Sequence, residues 1–155
     1  MKLETLPPGV RLAVEAAKEK KAAGIIVLDL SGASAFTEFF VICTGFSTPQ
    51  VQAICTEVEE QLYKNLGRSP EHREGRRSAE WALLDFGGFV VHVFGEQARR
   101  YYDLERLWRS APKLEIPDEA ETRSTDRTIS NATFSREPLD DEAVSGGTLG
   151  GRSQR

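Results

Sequence analysis

Between Glu80 and Phe94 apolar and polar positions are patterned around a glycine pair, EWALLDFGGFVVHVF. The pattern predicts a β-hairpin, because Gly87-Gly88 can supply the positive φ values a tight turn demands. A two-residue loop pairs Phe86 with Phe89, Leu84 with Val91, and Ala82 with Val93. These six apolar side chains share one face, which should pack on a core. The other face carries Trp81, Leu83, Asp85, Val90, His92 and Phe94. It mixes large aromatics with an acid and an imidazole. A half-exposed face of that kind suits protein recognition better than bond-making chemistry.

The rest of the chain gives clear periodicities. Val10, Ala13, Val14 and Ala17 recur at helical spacing after Pro7-Pro8, so a first helix is expected, ending by Gly24. Ile25 to Leu30 is an aliphatic run that reads as a buried strand, and Glu38 to Thr44 as a second. Ser47 or Thr48 caps a second helix with Pro49 in its first turn. Val51, Ile54, Cys55, Val58 and Leu62 form its stripe, and Gly67 stops it. Asn65 to Ala79 is polar, with room for a short edge strand around Glu71 to Arg73. After the hairpin, Gly95 and Glu96 open a third helix with Ala98, Tyr101, Leu104, Glu105 and Trp108 along one side. The order α-β-β-α-(β)-β-β-α predicts an α/β or α+β fold: a single small domain over 1–117, with a mixed β-sheet and flanking helices. Residues 118–155 are rich in Ser, Thr, Gly, Asp, Glu and Arg, and Phe134 is their only aromatic. They read as a disordered C-terminal tail, since so little apolar surface cannot offset the entropy of ordering.

Charge narrows the function classes. The 155 residues carry a formal charge of −4. Lys113 onward holds 6 basic and 9 acidic residues, leaving 14 and 15 before it. A nearly neutral domain is a poor candidate for binding nucleic acid through phosphate contacts. The basic clusters at Lys18 to Lys21 and Arg73 to Arg77 lack interleaved aromatics and read as solvated surface. The two cysteines, Cys43 and Cys55, lie in apolar patterns and are expected to be buried thiols. Neither CxxC nor HxxxH spacing occurs, so no metal site is expected. No secretory signal or membrane span is expected, and the simplest location is the cytoplasm.

Three places invite chemistry. Gly45-Phe46-Ser47 stands between a strand and a helix, where a phosphate could sit on the helix N-terminus. It lacks GxGxxG and GK[ST], and Glu57, Glu59 and Glu60 lie on the helix rather than forming a strand-borne metal clamp. A strand-to-helix turn with an N-cap explains it as well. His92 lies opposite Leu83 and diagonal to Asp85. That pair could act as a general base, but no Ser or Cys nucleophile is placed nearby, which favours a structural or recognition histidine. Asp29 ends the first strand and reads as a carboxylate bonded to backbone. No catalytic residue and no cofactor site is therefore expected.

The runs AAGIIVLDLSGASAFTEFFVICTGFSTPQVQAICTEVEEQL and EWALLDFGGFVVHVFGEQARRYYDLERLW closely resemble the ribosomal silencing factor family, also called RsfS or Iojap. The likeness covers about Val10 to Ala111. It rests on FFVICTGFSTPQVQAI, the W-x-LLD-[YF]-G hairpin, VVHVF and YYDLERLW. The resemblance implies a nucleotidyltransferase-like fold without enzyme activity. It implies binding to the large ribosomal subunit through its universal large-subunit protein fourteen, part of an intersubunit bridge. Occupying that protein blocks joining of the small subunit and represses translation when nutrients are scarce. It also implies a possible homodimer. One departure is visible: Gly87-Gly88 stands where the family often has Gly-Asp. The expected protein-binding residues are Trp81 first, then Leu83, Asp85, Phe94, Tyr101 and Glu105, with Asp85 and Glu105 complementing a basic partner. The alternative is a nucleotide-binding or nucleotidyltransferase-like enzyme using the Gly45 to Ser47 turn.

Overall fold

A computed structural model of the chain describes residues 1–34 and 36–118. The expected tail, 118–155, lies outside the described residues except for Asp118. After a short 3-10 turn, α1 (Pro8–Glu19) leads into β1 (Ala23–Asp29) and β2 (Phe39–Gly45). Then follow α2 (Thr48–Leu66), β3 (His72–Glu74) and the hairpin strands β4 (Trp81–Asp85) and β5 (Phe89–Gly95). Two short helices, α3 (Glu96–Tyr102) and α4 (Leu104–Leu107), precede β6 (Lys113–Glu115). The six strands form one mixed sheet in the order β3-β4-β5-β2-β1-β6. β2 and β5 run parallel, and every other pairing is antiparallel.

The hairpin has the expected register. Ala82 pairs with Val93 and Leu84 with Val91, while the Phe86 N–H donates to the Phe89 carbonyl at 2.9 Å. The six predicted core residues are buried with the stripes of α1 and α2, which cover that face. Helix α2 is delimited as its sequence suggests. The Ser47 hydroxyl accepts from the Gln50 N–H, and Gly67 closes the helix at φ 65.

Three features depart from the sequence reading. The third helix breaks at Asp103, which sits at φ 46 and caps α3. Aspartate tolerates this left-handed region better than most residues. The break turns Leu104 inward, 8% exposed, while Tyr101 stays 80% exposed. Second, Lys113–Glu115 forms β6, pairing with β1 from Ile26 to Leu28. Third, the mixed face of the hairpin is more covered than expected. Ile26, Leu28, Leu30, Ile42, Phe94 and Leu104 form a second, smaller core on that side of the sheet. Phe40, Trp81, Ala98 and Trp108 pack partly buried around it. Among the described residues no helix is long and apolar enough to cross a membrane.

Candidate functional site

Strand β4 carries the outward-facing part of the mixed face. Trp81, Leu83 and Asp85 alternate with the buried Ala82 and Leu84, and all three are half-buried. Gly75 sets the approach to this strand. Its φ is 76, and a Cβ there would lie 1.9 Å from the Trp81 carbonyl oxygen, so no larger residue fits. Trp81 is held on several sides. Its ring stacks on Phe94 at 4.9 Å between centroids and meets Tyr102 at 4.6 Å. Its indole Nε1–H donates to His92 Nδ1 at 3.0 Å. His92 is 3% exposed, and burial pushes its pKa down to about 3, so it is neutral. Phe94 is 0% exposed. It therefore supports the surface from beneath, where the sequence reading had made it a contact residue.

The remaining expected residues divide in the same way. Tyr101 points to solvent, edge-on to Tyr102, which is 43% exposed. Asp85 Oδ1 accepts from the Gly87 N–H at 2.8 Å and steadies the hairpin turn. Glu105 is turned inward. Its carboxylate accepts from Arg99 Nε at 3.1 Å and Nη2 at 2.8 Å, while Arg99 Nη1 donates to Thr44 Oγ1 at 2.9 Å. Burial opposes the ionisation of Glu105, but the Arg99 hydrogen bonds and charge outweigh it and the pKa is lowered. Sequence reasoning missed Arg99 because nothing in RRYYDLERLW reveals that Asp103 bends the chain back over it.

The candidate chemistry resolves into structural roles. His92 Nδ1 is occupied by Trp81 and Asp85 Oδ1 by Gly87, so the two do not form a base pair for proton transfer. At the Gly45 to Ser47 turn the Gly45 and Phe46 N–H groups are taken by the chain itself. The Phe46 N–H donates to Gln50 Oε1 at 2.6 Å, and the Gln50 N–H donates to Ser47 Oγ at 3.1 Å. Gln50 Nε2 in turn reaches the carbonyls of Lys20 and Lys21 at 3.0 Å each. Asp29 Oδ1 accepts from the Ser31 hydroxyl and N–H, which lowers its pKa. Cys43 and Cys55 are buried, and desolvation raises their pKa values to about 12 and about 11. Among the described residues no group of three or more His, Cys, Asp or Glu could hold a metal ion.

A family model described as "Ribosomal silencing factor during starvation" matches residues 4–140. This chain belongs to that family. The ribosomal silencing factor RsfS of Halalkalibacterium halodurans is 42% identical over 107 residues, 69% of this chain and 91% of the relative. The RsfS of Bacillus subtilis is 41% identical over 107 residues, covering 69% and 90%. A crystal structure of a Chromobacterium violaceum protein, 37% identical, superposes with a TM-score of 0.63 over 70% of this chain and 87% of that one. Another from Bacillus halodurans, 41% identical, gives 0.61 over 69% and 96%. The resemblance read from FFVICTGFSTPQVQAI and the W-x-LLD-[YF]-G hairpin is thus a family membership. The departure at Gly88 has a physical explanation within it. Only Gly87 of the turn has positive φ, at 92, and a Cβ on Gly88 would meet nothing within 4 Å. An ordinary side chain fits there without strain.

Proposed function

We propose that this protein represses translation as a binding protein, not an enzyme, by docking the outer face of β4 on the large ribosomal subunit. Trp81 is the anchor, Leu83 and Tyr101 flank it with Tyr102, and Asp85 faces a basic patch of the partner. Phe94 and Glu105 hold this surface from behind. The partner is universal large-subunit protein fourteen, and the bound factor blocks an intersubunit bridge so that the small subunit cannot join. The protein works in the cytoplasm, where it also restrains ribosome maturation. One observation carries the reading: Trp81 is a half-exposed indole already fixed by a hydrogen bond and two ring contacts. A rigid aromatic that removes much apolar area from water is the usual core of a binding hot spot.

The near-neutral folded part supports a protein partner over ribosomal RNA, because phosphate binding needs a basic surplus. The family's kinship with nucleotidyltransferases and its dimers belong to this reading as expectations. The enzyme alternative is disfavoured by Gln50, whose amide occupies the turn a phosphate would need. Sucrose-gradient co-sedimentation with separated subunits tests the function, with Trp81→Ala as the control. Wild type should travel with the large subunit and prevent joining. Trp81→Ala should stay folded and fail at both. Equal co-sedimentation of the two proteins would place the interface elsewhere.

A further inference from the structure

Buried polar atoms in a strand need a reason, and His92 has an unusual one. It lies in the middle of β5, 3% exposed, among apolar neighbours. Its Nδ1 accepts the Trp81 indole N–H at 3.0 Å. A neutral imidazole that accepts at one nitrogen carries its proton on the other. That other nitrogen, Nε2, is buried and has no hydrogen-bond partner among the described residues. The Phe40 ring packs against the imidazole instead, 4.3 Å between centroids and nearly perpendicular. A buried N–H without a partner is destabilising, and a valine or phenylalanine at this position would avoid the penalty. Among the described residues, the one hydrogen bond the imidazole makes goes to the proposed anchor, Trp81.

We infer that His92 is a positioning residue that locks the rotation of the Trp81 indole for docking, a role that rests on Trp81 being the anchor. The ring contacts, stacked on Phe94 and tilted against Tyr102, restrain the plane of the indole but not the half-turn about Cβ–Cγ that exchanges its two edges. A directional N–H···N bond restrains the rotation. Fixing the ring before contact removes the ordering cost that binding would otherwise carry. For one rotamer-rich side chain that is worth about two- to tenfold in affinity.

The test separates positioning from stability with two variants of opposite character. His92→Phe keeps a flat ring, removes the acceptor and removes the unpartnered N–H. His92→Asn keeps an acceptor at the place of Nδ1 but leaves a polar amide in the core. The full chain has two tryptophans, so ¹⁵N spectra contain two indole signals, and Trp108→Phe assigns them. In His92→Phe the melting temperature should hold or rise. Its Trp81 indole N–H should shift and exchange faster with water, and affinity for the isolated ribosomal protein should fall about two- to tenfold. In His92→Asn the melting temperature should fall while the indole signal and the affinity are kept. A purely structural histidine would make affinity follow stability, and that outcome overturns the inference. So does an unchanged indole signal in His92→Phe. A shifted signal with full affinity overturns it too, and Trp81→Ala then locates the failure. Weakened binding by Trp81→Ala spares the anchor and rejects only the positioning role, whereas normal binding rejects both.

Discussion

Trp81 and His92 are diagonal neighbours across the hairpin, since Trp81 pairs with Phe94 and Leu83 with His92. Long aromatic side chains span that diagonal. The burial of His92 also has a pH signature. The folded pKa of His92 is pushed by burial to about 3, below the ordinary 6.5. Between those values the unfolded chain binds a proton that the folded chain refuses. The resulting stability is present above pH 6.5 and is lost as pH falls toward 3, at up to about 1.4 kcal/mol per pH unit. Glu105 and Asp29, whose pKa values are lowered, act in the same direction but only once pH drops through the carboxylate range. Over pH 6.5 to 5 the difference between wild type and His92→Phe therefore isolates His92. Melting temperature measured across it should decline for wild type and flatten for His92→Phe. An equal decline in both would place the proton elsewhere. Much of this site was legible in the sequence: alternation alone put Trp81, Leu83 and Asp85 on one face. The hydrogen bond was not, because His92 has two diagonals and pattern reading cannot tell Asp85 from Trp81. Nor could it tell that Phe94, on the same face, would be roofed by Trp81 and Tyr102.

At the scale of elements the hairpin turn makes the sharpest prediction. Gly87 has φ 92, and a Cβ there would lie 2.9 Å from Glu71 Oε2, whereas Gly88 lies in open space without positive φ. Gly88→Ala should hold or raise stability, by up to about 1 kcal/mol, through a less flexible unfolded chain. Gly87→Ala should lower it by more than that, from left-handed strain. Chemical denaturation of the two variants checks the asymmetry, and equal effects would contradict the turn geometry. Strand register was readable because glycine pairing and alternation agree on a single alignment. The short elements were not. β6 has three residues, Lys113 to Glu115, and its alternation of Leu114 with charged neighbours is too brief to distinguish from a loop. It forms because β1 offers a free edge, to which Ile116 adds a backbone bond at 2.9 Å to Ile25. The break at Asp103 was hidden for a similar reason. Ala98, Tyr101, Leu104 and Trp108 fit one continuous helical face, and neither the left-handed Asp103 nor the ion pair of Arg99 with Glu105 that follows from the bend shows in that pattern. Arg99→Leu should loosen α3 and α4 from the sheet, leaving Thr44 and Glu105 without their donor. Hydrogen exchange should then rise in Glu96 to Leu107 while α1 and α2 stay protected.

For the whole molecule, charge assigns different kinetic roles to Asp85 and Trp81, two of the three outer residues of β4. Before Lys113 the chain carries 14 basic and 15 acidic residues, so no strong global field steers it toward ribosomal RNA. Local charge then governs encounter, and Glu105 contributes little because Arg99 neutralises it at 2.8 Å. Asp85 is half-buried, and its carboxylate accepts from the Gly87 N–H. Reversing it with Asp85→Lys should slow association with a basic partner and change the salt dependence of the rate, while dissociation changes less. Trp81 acts after contact. Its truncation to alanine removes a rigid ring that stacks on Phe94 and packs at a tilt against Tyr102. Loss of such an anchor typically costs about 2–4 kcal/mol, roughly 30- to 1000-fold in affinity, and should appear as faster dissociation. Because Trp81 also packs on the second core, part of its loss will be structural. Thermal unfolding must therefore accompany the kinetics. If Trp81→Ala dissociates faster while its melting temperature stays within a few degrees of wild type, the indole is an anchor. If it unfolds instead, Trp81 belongs to the core that Phe94 and Leu104 form, and the docking surface is carried by Tyr101, Tyr102 and Leu83.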